Sequence, residues 1–110
     1  PDQVPSRGEG VWAPFFGRWA YTMTLAVRLA RQFDAIVLFV HGERLPRGEG
    51  FRIHLRRLEE PLTGDLARDA AAMNRGLEAL IRECPGQYLW GYNRYKTPAG
   101  AEPPPVQPPA

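Results

Sequence analysis

"AIVLFVHGERLPRGEGFRIHLRRL", residues 35–58, holds five consecutive apolar residues, then a turn-rich break, then a strictly alternating run. The five, Ile36 to Val40, are β-branched, aromatic or leucine and too few for a helix, so they read as a strand buried on both faces. In the alternating run, Phe51, Ile53 and Leu55 point one way while Arg52, His54 and Arg56 point the other. The "RLPRGEG" between them carries one proline and two glycines. A hairpin joining 36–43 to 51–58 across a long loop is the economical reading.

Working outward, "YTMTLAVRLARQF" (21–33) repeats Met23, Ala26, Ala30 and Phe33 at helical spacing, with Leu25 and Leu29 alongside. It predicts an amphipathic helix from Thr22 to Gln32. On the other side, "EEPLTGD" introduces a second helix, with Thr63 or Asp65 as N-cap and Asp65 and Asp69 near its positive end. Leu66, Ala70, Met73, Leu77, Leu80, Ile81 and Cys84 form its apolar stripe, and Pro85-Gly86 stops it. The order helix, strand, strand, helix, then a short aromatic segment makes the fold class α/β: the C-terminal part of a helix-flanked mixed β-sheet. One hairpin and two helices do not cover both faces and both edges of a buried strand. Part of the sheet is therefore expected to lie outside this chain.

The ends read differently. Pro1 to Gly10 is turn-like, and its "RGEG" recurs at 47–50 as a second turn rather than a repeat, because the residues that follow the two copies differ. "VWAPFFG" (11–17) is apolar, broken by Pro14 and closed by Gly17. From Thr97 onward six of fourteen residues are proline, so 97–110 is expected to be a disordered tail, polyproline II in part, beside a folded unit at 1–96.

A chain of 110 residues allows one domain or a piece of one. It begins at Pro1 rather than Met, so processing or truncation is expected. No apolar run of about 18 residues and no signal-peptide pattern occur. The single cysteine, Cys84, makes no internal disulfide, suits a reducing compartment and is expected to be a buried thiol. Net charge is +2, yet the basic residues are thirteen arginines and one lysine. That bias suits phosphate-bearing partners, or simply accompanies an Ala-, Gly- and Pro-rich composition. The balance is too small to suggest nucleic acid, even with Arg, Tyr and Trp interleaved at 88–96.

Three patterns bear on chemistry. His54 and Glu59 share the H-x-x-x-x-E spacing of a catalytic pair, but positions five apart on a strand face opposite ways, and Arg52 and Arg56 flank the histidine. The spacing is read as chance. His41, Glu43 and Arg44 stand where α/β strands end and ligands tend to bind. Neither a metal-ligand spacing nor a phosphate-cradling loop is present, so no cofactor is expected.

Four segments together resemble the late acyltransferases of lipid A biosynthesis (lauroyl/myristoyl type, within the lysophospholipid acyltransferase superfamily). They are "PDQVP" (1–5), "GVWAPFFGRWAYTMT" (10–24), the run 26–40, and "MNRGLEALIRECPGQYLWGYNRYK" (73–96). The last is the most specific, and the resemblance spans about 1–96. Gly86 departs from the family's usual Glu, and Asp34-Ala35-Ile36 and Phe39 stand where many members have Gly-Ala-Pro and a further Pro.

The resemblance implies the C-terminal half of an enzyme whose catalytic His-x-x-x-x-Asp/Glu motif lies upstream, so no catalytic residue is expected here and the piece alone is expected to be inactive. It implies an acyl carrier protein thioester as donor, a lipid A precursor as acceptor, and work at the cytoplasmic face of the inner membrane. Asp2 and Gln3 fall on an acidic substrate-binding element, and Val11, Phe15 and Phe16 on a stretch expected to line the acyl groove. Arg44, Arg94 and Lys96 are expected to meet phosphates or acidic groups, with Tyr88, Leu89 and Trp90 packing the end of the chain onto the sheet. The competing reading is a non-catalytic α/β interaction module with a proline-rich docking tail.

Overall fold

A central helix organises the chain. The computed structural model describes residues 2–109, so Pro1, the first residue of the opening turn, lies outside the described residues. Strands β1 (Gly10–Phe15) and β2 (Arg18–Met23) form one antiparallel hairpin, and β3 (Leu38–Arg44) and β4 (Phe51–Arg57) form another. Helix α1 (Leu25–Gln32) links them, and α2 (Leu66–Glu83) packs against β1, β3 and α1. The architecture is mixed α/β, but its strands make two small two-stranded sheets rather than one sheet.

The second hairpin follows the expected pairing, with His41 opposite His54 and Val40 opposite Leu55. Its burial does not. Phe39 turns inward and is 7% exposed, whereas Leu38 and Val40 are 55% and 59% exposed. The strand read as buried on both faces is covered on one. Leu38, Val40, Phe51, Ile53 and Leu55 share the open face, each more than half exposed. Among the described residues, no further strand pairs with either edge of this hairpin.

The first hairpin, β1–β2, has no counterpart among the elements that the sequence pattern predicts. Residues 22–23, expected to begin a helix, belong to β2, and α1 starts at Leu25. Phe16 (φ 47°) and Gly17 (φ 75°) make the two-residue turn, the left-handed pair that suits the twist of a hairpin. Pro14 is tolerated because β1 pairs on one side only, and its carbonyl accepts from Asn74 Nδ2 at 3.0 Å. On α1, Val27 and Ala30 are the buried positions, while Leu25, Leu29 and Phe33 of the expected stripe are exposed.

Helix α2 keeps to its sequence signals. Asp65 is the N-cap and accepts from the Arg68 N–H at 3.0 Å. Asp69, 1% exposed, accepts from the Thr63 N–H, the Thr63 hydroxyl and the Gly64 N–H at 2.7–3.0 Å. Burial pushes its carboxyl up, but these donors and the Arg31 charge outweigh it and hold the group below its ordinary value. The core on the β3 side is Val27, Phe39, Met73 and Leu80, with Val37, Leu58 and Leu77 against it. Residues 97–109 carry no helix or strand.

Candidate functional site

The N-terminal segment and the aromatic C-terminal segment meet at a carboxylate. Asp2 Oδ1 accepts from Arg94 Nε at 2.7 Å, and Asp2 Oδ2 accepts from the Tyr88 hydroxyl. Arg94 is 4% exposed. Its Nη1 donates to the Tyr21 carbonyl at 2.9 Å and its Nη2 to Thr22 Oγ1 at 3.2 Å. One guanidinium thus ties β2 to Asp2 with a planar fork that lysine lacks. Burial pushes the Tyr88 phenol up, and its bond to the Asp2 carboxylate pushes it further, so it stays a donor at neutral pH. Nearby, Val4 N–H donates to the Tyr92 hydroxyl at 2.9 Å, and the Tyr95 hydroxyl donates to the Phe15 carbonyl at 2.9 Å.

This junction borders a cavity of about 530 Å³ between α1, β3 and α2. Asp2, Gln3, Tyr88 and Arg94 belong to its wall, and the rest is mainly apolar, including Phe39, Met73 and Leu77. Two polar atoms there are buried without a partner: Asn74 Oδ1, on a residue 1% exposed, and His41 Nε2. Unpaired buried polar atoms are uncommon in folded interiors, and the Asn74 oxygen in particular is an acceptor open to a donor. An apolar volume with a few convergent polar groups is the ordinary form of a ligand site.

The remaining expected residues are scattered. Val11 is half-buried in β1, and Phe15 is 1% exposed and part of the core. Phe16 sits at the turn with its N–H donating to Glu78 Oε1 at 2.7 Å and its ring under Arg82 and beside Trp90. None of the three lines the cavity. Arg44 ends β3, its backbone bonded both ways to the Gln87 amide at 2.7 and 2.9 Å. Lys96 is exposed, its ammonium 5.6 Å from the Tyr92 ring centre.

The histidines part company. His54 Nε2 lies 2.8 Å from Glu43 Oε1 and Nδ1 lies 3.6 Å from Glu83, so its partners are not Glu59. The hydrogen bond to His54 holds the Glu43 carboxyl below its usual range. His41 lies within β3, not at its end, and stacks on His54 at 5.7 Å. His41 and Glu43 thus both meet His54, while Arg44, opposite Phe51, belongs to the other face of the hairpin. Cys84 is partly buried, and burial pushes its thiol up.

The aromatic segment is arranged otherwise than expected. Leu89 and Trp90 are 73% and 57% exposed, and it is Arg94 and Tyr95 that reach inward. Asp2, expected on a binding element, borders the cavity, whereas Arg94, expected to face outward, turns inward, because no local pattern announces a carboxylate ninety-two positions away. Asn74 carried a weak signal as a lone amide on the apolar side of a helix.

The family model for bacterial lipid A biosynthesis acyltransferases matches residues 1–97. The chain is 32% identical over 99 residues to the lipid A biosynthesis lauroyltransferase of Escherichia coli (strain K12). It is 34% identical over 98 residues to the lipid A biosynthesis palmitoleoyltransferase of that strain and, equally, to a lipid A biosynthesis acyltransferase of Shigella flexneri. Each comparison covers 88% of this chain and 32% of the relative. The chain thus spans about a third of the length of the curated relatives it matches.

Proposed function

Because the chain belongs to the bacterial lipid A biosynthesis acyltransferase family, we propose that it is a C-terminal part, about a third, of an enzyme that transfers a fatty acyl group. The donor is acyl carrier protein, and the acceptor is a hydroxyl of a lipid A precursor. A base outside this chain removes the hydroxyl proton. The oxygen attacks the thioester carbonyl, the C–O bond forms, the C–S bond breaks, and the thiol leaves with the proton. This chain supplies a wall of the site rather than the base, and on its own it is inactive. No helix among the described residues is long and apolar enough to cross a membrane; association with the inner membrane then rests on the rest of the protein and on surface cations such as Lys96.

The observation that carries this reading is Asp2, an acidic group of the expected binding element. It is held by Arg94 and Tyr88 at the wall of an apolar cavity. A carboxylate so held is a fixed acceptor for acceptor hydroxyls, beside a volume suited to hydrocarbon. In the whole protein, Asp2→Ala should lower kcat/KM for acyl transfer by at least tenfold, about 1.4 kcal/mol of transition-state stabilisation. Unchanged kinetics in a variant that still folds would remove Asp2 from the site.

A further inference from the structure

The tail beyond the family match has an unusual chemistry. Its prolines have no N–H, so residues 103–105 and 108–109 offer carbonyl acceptors and flat apolar rings but no backbone donors. Each residue that precedes a proline is also pushed toward extended backbone. From Glu102 to Pro105 the chain is therefore stiff before it touches anything, and docking it costs little entropy.

The outer face of the first hairpin is complementary. Trp12 pairs with Tyr21, and Pro14 with Trp19, so these four share one face. Ala13, Phe15 and Ala20 occupy the other, buried one. An indole N–H is a donor with no acceptor capacity, set in a flat apolar surround. Both indoles are used: Trp12 Nε1 donates to the Glu102 carbonyl at 3.1 Å, and Trp19 Nε1 donates to the Gln107 carbonyl at 2.6 Å. A bend at 106–107 lies between the two carbonyls. Upstream, a Cβ placed on Gly8 would lie 2.6 Å from the Gly100 carbonyl oxygen, so the two backbones pass at a range only glycine permits.

We propose that the Trp12–Trp19 face is a docking groove for proline-rich chain, and that its occupant is the protein's own tail, residues 100–109. Paired indole donors on an aromatic platform are the means by which polyproline II segments are generally held. The short connection from Lys96 keeps the tail at high effective concentration, so a proline-rich segment of another protein gains the groove only by displacing it.

The test uses the whole protein labelled with 5-fluorotryptophan, the Trp12 and Trp19 signals being assigned by Trp12→Phe and Trp19→Phe. Removing residues 100–110 should shift both fluorine signals, and a synthetic peptide of those residues should restore them saturably. The intact protein should bind the same peptide at least about tenfold more weakly, because its groove is filled. Replacing Pro103, Pro104 and Pro105 by serine in the intact protein should move both signals toward their tail-free positions, which keeps the test available if truncation impairs folding. Unmoved signals in the serine variant, or equal peptide binding by intact and truncated protein, would overturn the proposal.

Discussion

Arg94 shows how one residue changes meaning when it is folded. Removing its side chain leaves Asp2 without its charged partner and frees a carbonyl and a hydroxyl of β2, so Arg94→Ala should cost about 3–5 kcal/mol and be read as an early melt. Arg94→Lys restores the charge without the fork and should recover only part of that loss. Lys96→Ala, by contrast, should melt within about 0.5 kcal/mol of the parent, while weakening salt-sensitive binding to anionic vesicles by about 1 kcal/mol. Asp69 gives the pH counterpart. Its carboxyl is depressed in the fold, so its contribution is complete above the ordinary value near about 3.9 and disappears as pH falls through the lower folded value. Asp69→Asn should cost about 1–3 kcal/mol at neutral pH and flatten the acid limb of a stability–pH curve measured by denaturant titration.

Among the elements, α2 meets β3 through a glycine. A Cβ on Gly76 would lie 2.4 Å from the Phe39 ring, which is itself buried. Gly76→Ala gains about 1 kcal/mol of helix propensity but forces the ring aside at a cost of about 1–3 kcal/mol. The net effect should be a lower melting temperature, and Gly76→Ala combined with Phe39→Leu should recover much of it. The elements also differ in how well the sequence announced them. The β3–β4 hairpin was readable because Phe51 to Arg56 alternates without a break and the loop before it is rich in turn residues. Helix α2 was readable from Asp65 and its apolar stripe. The β1–β2 hairpin was not: Pro14 interrupts the first strand, and its turn uses Phe16, a residue with no turn signature, held by Glu78 and Arg82 from another element. Alternation is a local signal, whereas that turn is stabilised by tertiary contacts. The site was half readable for the same reason. Asp2 and Gln3, expected through resemblance, do border the cavity, but the inward course of Arg94 depends on contacts across nearly the whole chain.

At the scale of the molecule, the open face of β3–β4 presents five apolar side chains, and if the rest of the proposed enzyme covers them they are buried only in the whole protein. Val40→Lys with Leu55→Lys separates a covered face from a free one. In the isolated 110-residue chain the pair should reduce self-association, seen as a smaller particle by light scattering. In the whole protein it should lower the melting temperature, because two buried apolar side chains cost about 1.5–3 kcal/mol each when replaced by charge. Equal behaviour in both settings would place this face in solvent in the enzyme as well. The clasp between Asp2 and Arg94 closes ninety-two residues of chain, and that spacing sets an order of events during synthesis. At about 5–20 residues per second, Asp2 waits roughly 5–18 s on the ribosome for its partner to be made. A nascent chain that has reached residue 83 but not residue 94 therefore encodes both hairpins and both helices while Asp2 still lacks its charged partner.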